Sequence, residues 1–167
     1  EKNLISRFNL AMSIQILNPG IYDTIQDKGR YGFACWGINP GGVMDNYAAS
    51  VANALVGNGP ETAVMELHFP AARLLLEQDT LISICGADFQ AKGNGQPLPL
   101  WQPILVRKNV TIHFEKCLWG ARCYLAVFGG FQLPEWLGSY STNTKAKTGG
   151  FQGRALMKND RIPLVAS

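Results

Sequence analysis

Charge is scarce in this sequence: 16% of its 167 residues are Asp, Glu, Lys or Arg, against roughly 25% in an average soluble domain. The 15 Lys and Arg exceed the 12 Asp and Glu by three and are dispersed without a run of one sign. That excludes the clustered basic face a nucleic-acid binder needs. Long hydrophobic runs are lacking as well. Segments such as Leu74–Leu76 and Tyr124–Phe128 are far shorter than the ~20 residues a membrane-crossing helix requires, so no membrane span is expected. Histidine occurs only as His68 and His113, on separate segments without partners at ligand spacing, and no metal centre is expected. The four cysteines, Cys35, Cys85, Cys117 and Cys123, match no zinc or redox spacing. They read as small buried apolar side chains in a reducing, cytoplasmic protein. Disorder is excluded too, because 47% of the residues are apolar and net charge is low.

Enzyme signatures that would decide the matter quickly are missing. No G-x-x-x-x-G-K-[ST] and no G-x-G-x-x-G opening a helix is present. No G-x-S-x-G elbow supports a serine-hydrolase triad. Met157 and Lys158 are followed by Asn159, so the Met-Lys-Met signature of a biotinylated carrier lysine is also missing.

What the sequence does contain is period-two alternation between turn residues. Val110, Ile112 and Phe114 alternate with Thr111, His113 and Glu115, as a strand with one buried and one wet face requires. Ile14–Leu17, Ala63–Phe69, Arg73–Leu76, Thr80–Cys85, Ile104–Arg107 and Arg122–Phe128 are similar short, β-rich segments, and 18 glycines and 9 prolines are scattered through the chain. A barrel or sandwich is expected. The segment Arg122–Phe128 is apolar on both parities and predicts a central strand covered on both faces. One helical signature occurs: Ala48, Val51, Ala52 and Leu55 fall at i, i+3, i+4 and i+7, with Asp45 as N-cap and Gly57 as stop. The first eleven residues lack the apolar centre of a signal peptide and read as a leader remnant, with Met12 as the start of the single domain 12–167.

Three local constellations carry candidate chemistry. Asp27 and Arg30 flank Gly29 in P-G-I-Y-D-T-I-Q-D-K-G-R-Y-G; either they pair across a tight turn, or Arg30 is a guanidinium fork for a carboxylate or phosphate. Gly41-Gly42-Val43-Met44-Asp45 leads into the helix, and a capping Asp45 would repel an incoming anion from that helix end. Gly138-Ser139-Tyr140-Ser141-Thr142 offers three hydroxyls, and Gly149–Arg154 follows it with more backbone amides and Arg154. Together they read either as an oxyanion or phosphate cradle or as a glycine-rich loop between strands.

Taken in order, these pieces resemble a known family. They are P-G-x(3)-T-I-Q-D-x-G-R-x-G, then G-G-V-M-D, then A-N-A-L-V-G-N with Glu61, Ala63 and Glu66, then Gly86-Ala87. G-A-R-C-Y-L-A-V-F-G-G, G-S-Y-S-T and G-G-F-Q-G-R complete the set, spanning Ile14 to about Ile162. The family is that of the C-type subunit of 5-oxoprolinase, KipA-like proteins and allophanate hydrolase subunit 2, also labelled biotin-dependent carboxyltransferase. The resemblance implies a mainly β, cyclophilin-like barrel with one helix at about 45–57. It also implies a KipI-like partner of similar barrel fold, the B-type subunit of 5-oxoprolinase, and a large oxoprolinase subunit. The hetero-oligomer would open 5-oxoproline to glutamate with ATP hydrolysis. Related readings are carboxyl transfer from biotin to urea, and a non-catalytic KipA-like module that binds a kinase inhibitor, for instance through Trp36, Trp101, Trp119 and Trp136. Family members usually continue into a second barrel, so the chain corresponds to an N-terminal half. No cofactor is assigned to it alone. Carried over by motif, Glu66, Ser139 and Ser141 are candidate catalytic residues. Arg30, Thr142 and Arg154 are candidate anion-binding residues, and Asp27, Asp45 and Asn53 are candidate structural residues. The expected substrate is a small anionic or amide compound.

Overall fold

The structure is a computed structural model and describes residues 12–166; the leader expected over residues 1–11 lies outside them. Strand β1 is Ser13–Asn18, β2 Thr24–Gln26, β3 Val64–Leu67, β4 Arg73–Leu76 and β5 Thr80–Asp88. Short strands β6 (Ala91–Gly93) and β7 (Gln96–Pro97) follow, then β8 (Pro103–Val106), β9 (Thr111–Phe114), β10 (Trp119–Val127) and β11 (Arg161–Pro163). The helix α1 spans Asn46–Leu55, and a 3-10 turn spans Ala34–Trp36. None of the described helices is long and apolar enough to cross a membrane.

Every ladder is antiparallel. The strands form a six-stranded sheet in the order β11-β1-β4-β9-β6-β7 and a five-stranded sheet in the order β2-β3-β10-β5-β8. The expectation of a mainly β chain with one helix is met. The pairings make two sheets, whose inward side chains pack face to face. Ile14, Ile16, Leu74, Leu76 and Ile112 meet Met65, Leu67, Ile82, Ile84 and Leu125 in one buried cluster.

Strand β10 shows why the five-stranded sheet is covered on both faces. Cys123, Leu125 and Val127 point into the inter-sheet core, while Tyr124 and Ala126 point the other way, against Ala48, Ala49 and Ala52 of α1. Small alanines let the helix lie close on the sheet, and Ser83 Oγ donates to the Ala52 carbonyl at 2.5 Å. The helix sits within its expected bounds. Asp45 caps it, accepting from Ala48 N at 3.0 Å, and Gly57 leaves it in the left-handed region at φ 79°. Its buried side includes Ala49 and Asn53, so it is turned slightly from the stripe read in the sequence. Asn53 is buried because its amide donates to Thr62 O at 2.7 Å and accepts from Asn58 at 3.1 Å. All four cysteines are free thiols; Cys85 and Cys123 are buried as expected, but Cys35 is exposed and Cys117 half-buried.

Candidate functional site

The sequence-predicted residues separate into three groups. The first is a buried knot around Asp27. Oδ1 accepts from Gly29 N at 2.7 Å, Ser139 Oγ at 2.7 Å and Ser141 Oγ at 2.5 Å, and Oδ2 accepts from Tyr140 N at 2.6 Å. Four donors on one carboxylate replace its hydration, which is what lets it lie out of water. Ser139 and Ser141 are fully buried, and both hydroxyl protons are directed at Asp27. Thr142 Oγ1 donates to the Ile25 carbonyl at 2.8 Å. Arg30 is not paired directly with Asp27 among the described residues. Its Nη2 donates to the Ser141 carbonyl, its guanidinium lies 4.6 Å from the centroid of the Trp136 ring, and burial pulls its pKa down against the opposing charge of Asp27. Glycine is required beside this knot: a Cβ at Gly149 would sit 2.1 Å from Ser141 O, and one at Gly150 1.9 Å from Thr142 Oγ1. Asp27, Arg30, Ser139, Ser141 and Thr142 thus come together: both serine hydroxyls are turned on Asp27, Thr142 is turned on Ile25, and Arg30 Nε and Nη1 are buried without a hydrogen-bond partner.

Arg154 stands apart. Its fork takes both carboxylate oxygens of Asp160 at 2.7 and 2.8 Å, and it also donates to Gln152 Oε1 and Ala155 O. Asp160 raises the pKa of the guanidinium.

The third group is built on β3 and β10, where Glu66 and Tyr124 are directly opposite. Tyr124 Oη donates to Glu66 Oε2 at 2.9 Å and accepts from Asp45 N at 2.8 Å, and Met44 N also donates to Oε2 at 2.8 Å. One carboxylate oxygen therefore ties the sheet to the glycine loop and the helix cap. Burial first, then Glu66, pushes the Tyr124 phenol well above its usual range. Glu66 Oε1 faces Arg122 Nε at 3.9 Å, too far for a hydrogen bond. Between Trp119 and Cys123 the β10–β5 register shifts; within that stretch Gly120 has φ 84°, and a Cβ there would lie 2.6 Å from that of Ala87. This bulge opens a cleft on each side of Gly120–Arg122. One, about 220 Å³, is lined by Met44, Asp45, Trp101, Trp119 and Arg122. The other, about 290 Å³, is lined by His68, Phe69, Phe89, Cys117 and Arg122.

Sequence reasoning singled out Glu66 here but missed Arg122, His68 and Tyr124 as neighbours of it. A signal was present: Arg122 is the one charged residue in an otherwise apolar run, which is where a cation needs a reason to be.

Two antiparallel sheets, with one helix against the outer face of the five-stranded one, define a mainly β domain. Residues 36–167 match the family "Carboxyltransferase domain, subdomain A and B", and the chain belongs to that family. Among its relatives, urea amidolyase of Saccharomyces cerevisiae is 36% identical over 156 residues, covering 93% of this chain and 8% of that protein. The C-type subunit of 5-oxoprolinase from Escherichia coli is 32% identical over 154 residues, covering 92% of this chain and 50% of its own length. The crystal structure of the K. lactis urea amidolyase superimposes with a TM-score of 0.87 at 32% identity, over 92% of this chain and 9% of that one. The chain thus spans half or less of the length of these relatives.

Proposed function

We propose that the chain is one domain of a 5-oxoprolinase-type complex, which opens a small cyclic amide together with a second cyclophilin-like subunit and a large ATP-using subunit, and that Glu66 is its acid–base residue. The observation that carries this is the asymmetry of the Glu66 carboxylate. Oε2 is fixed by Tyr124 and Met44, while Oε1 has only Arg122 at 3.9 Å. A carboxylate held rigidly by one oxygen keeps the other free to take or return a proton at a fixed place. In this proposal Asp27, Arg30, Ser139, Ser141 and Thr142 hold the loop between β10 and β11 in position, and Arg154 fastens the approach to β11.

A second reading is carboxyl transfer from biotin to a urea-like acceptor, favoured by the 36% identity to urea amidolyase. Reconstitution with the partner subunits separates the two. The first reading expects ATP-dependent conversion of 5-oxoproline to glutamate, and the second expects urea carboxylation that requires a biotinylated carrier. In either assay Glu66→Gln is expected to lower kcat by about 10²–10⁴-fold. Full activity of Glu66→Gln would remove Glu66 from the chemistry.

A further inference from the structure

The cleft on the His68 side is lined by a guanidinium and an imidazole whose hydrogen bonding the fold leaves incomplete. Arg122 Nη1 donates to the Ala121 carbonyl at 2.8 Å and Nε faces Glu66 Oε1 at 3.9 Å as an ion pair, but Arg122 Nε and His68 Nδ1 are both buried without a hydrogen-bond partner. Leaving a buried polar atom unpaired costs about 1–3 kcal/mol, so two at one end of a cleft call for an explanation. Burial and the Arg122 charge pull His68 down to about 4, so its imidazole is neutral near pH 7 and one ring nitrogen is an acceptor. The Arg122 side chain, 26% exposed, leaves a cation available from the cleft. The remaining walls are flat and apolar: the Phe69 and Phe89 rings lie 5.5 Å apart, with Ile21 and Cys117 beside them. At about 290 Å³ the space lies at the lower edge of the roughly 300–1,000 Å³ of ligand clefts, which restricts the occupant to a small molecule.

We infer that this cleft is a subsite for a compact ring carboxylate, with the carboxylate on the Arg122 guanidinium, the ring against Phe69 and Phe89, and a ring N–H donating to His68. It deepens the lactam reading and rests on it only for the choice of the first probe. Arg122 is a fork suited to a carboxylate. A neutral imidazole beside it adds no second charge and distinguishes a ring bearing N–H from an all-carbon ring.

The test is titration of the purified chain, followed by amide chemical shifts, with three probes at millimolar concentration. They are 5-oxoproline, cyclopentanecarboxylate (no ring N–H) and 2-pyrrolidinone (no carboxylate). Both acids are expected to shift the amides of Phe69, Gly120 and Ala121, with 5-oxoproline the tighter, while 2-pyrrolidinone binds far more weakly. Arg122→Gln is expected to weaken both acids roughly 10- to 100-fold, Arg122→Lys less so, and His68→Phe to abolish the preference for 5-oxoproline while keeping carboxylate binding. Equal binding of 2-pyrrolidinone, unchanged affinity in a folded Arg122→Gln chain, shifts confined to other residues, or no binding by any probe would each overturn the subsite. Binding of cyclopentanecarboxylate alone would uphold Arg122 as the carboxylate group and overturn the lactam part. Turnover in the reconstituted complex, measured separately, tests the functional reading whether or not the subsite stands.

Discussion

At the scale of single residues, the sharpest expectations come from carboxylates that are buried for different reasons. Asp27 is held by four donors, so Asp27→Asn removes the charge to which they are all directed and pits an amide N–H₂ against them. A loss of about 2–4 kcal/mol is expected, read as a lower urea midpoint with unchanged slope; a change under 0.5 kcal/mol would show that the knot is not structural. Asp23 differs. It accepts only the amides of His68 and Ala72, and burial outweighs them, raising its pKa to about 6. Because the folded value exceeds the unfolded one, the native state binds the extra proton, and this contribution is full below about pH 4 and lost as pH rises to 6. His68 has the opposite sign: its folded value of about 4 lies below the ordinary 6.5, so its contribution grows as pH rises from 4 to 6.5. The two slopes oppose each other in nearly the same window. The Asp23 and His68 contributions are therefore expected to offset each other between pH 4 and 6, and His68→Gln to tilt the stability profile toward a fall with rising pH relative to the parent chain. An unchanged or steeper rise in that variant than in the parent chain would contradict the assignment of His68.

At the scale of elements, α1 and its entry loop are held by a relay that runs from sheet to cap: Glu66 to Tyr124, Tyr124 to Asp45 N, Asp45 to Ala48 N. Asp45→Ala is expected to cost about 1 kcal/mol through the lost cap. Tyr124→Phe should cost about 1–3 kcal/mol, because Glu66 and the Asp45 amide both lose a partner in a buried place. Combining Tyr124→Phe with Glu66→Gln should give less than the sum, since both remove one shared hydrogen bond; strict additivity would mean that the relay is not coupled. Elements were also the most legible part of the sequence. The cap, the glycine stop and the alanine-rich face fixed α1 locally, and the two-sided apolar pattern of Arg122–Phe128 identified β10. The sheet partners were not legible, because Thr24–Gln26 pairs with Val64–Glu66 and Tyr124 with Glu66 across separations that no local pattern encodes. For the same reason the hydroxyls of Ser139 and Ser141 read in sequence as free donors, although Asp27, more than a hundred positions away, takes both.

For the molecule as a whole, the two apolar clusters share one wall, the β10–β5 pair, with the inter-sheet core on one side and α1 on the other. Loss of either layer would strip a face of the same strands, so unfolding is expected to be a single transition. Tryptophan fluorescence and far-ultraviolet circular dichroism should follow coincident curves in urea; separated curves would mean that the α1 layer melts on its own. The position of β10 between β3 and β5, together with the bulge at Gly120, has a further consequence for amide hydrogen exchange. From Cys123 to Val127 the backbone is bonded within the sheet and covered above and below, so deuterium can enter only when the entire domain opens. At the bulge, Gly120 to Arg122 leave the regular ladder and border two clefts, so their amides exchange through small local openings. One strand therefore carries two clocks, a slow one that reports global stability and a fast one, set beside Arg122, that slows when a molecule settles in the cleft.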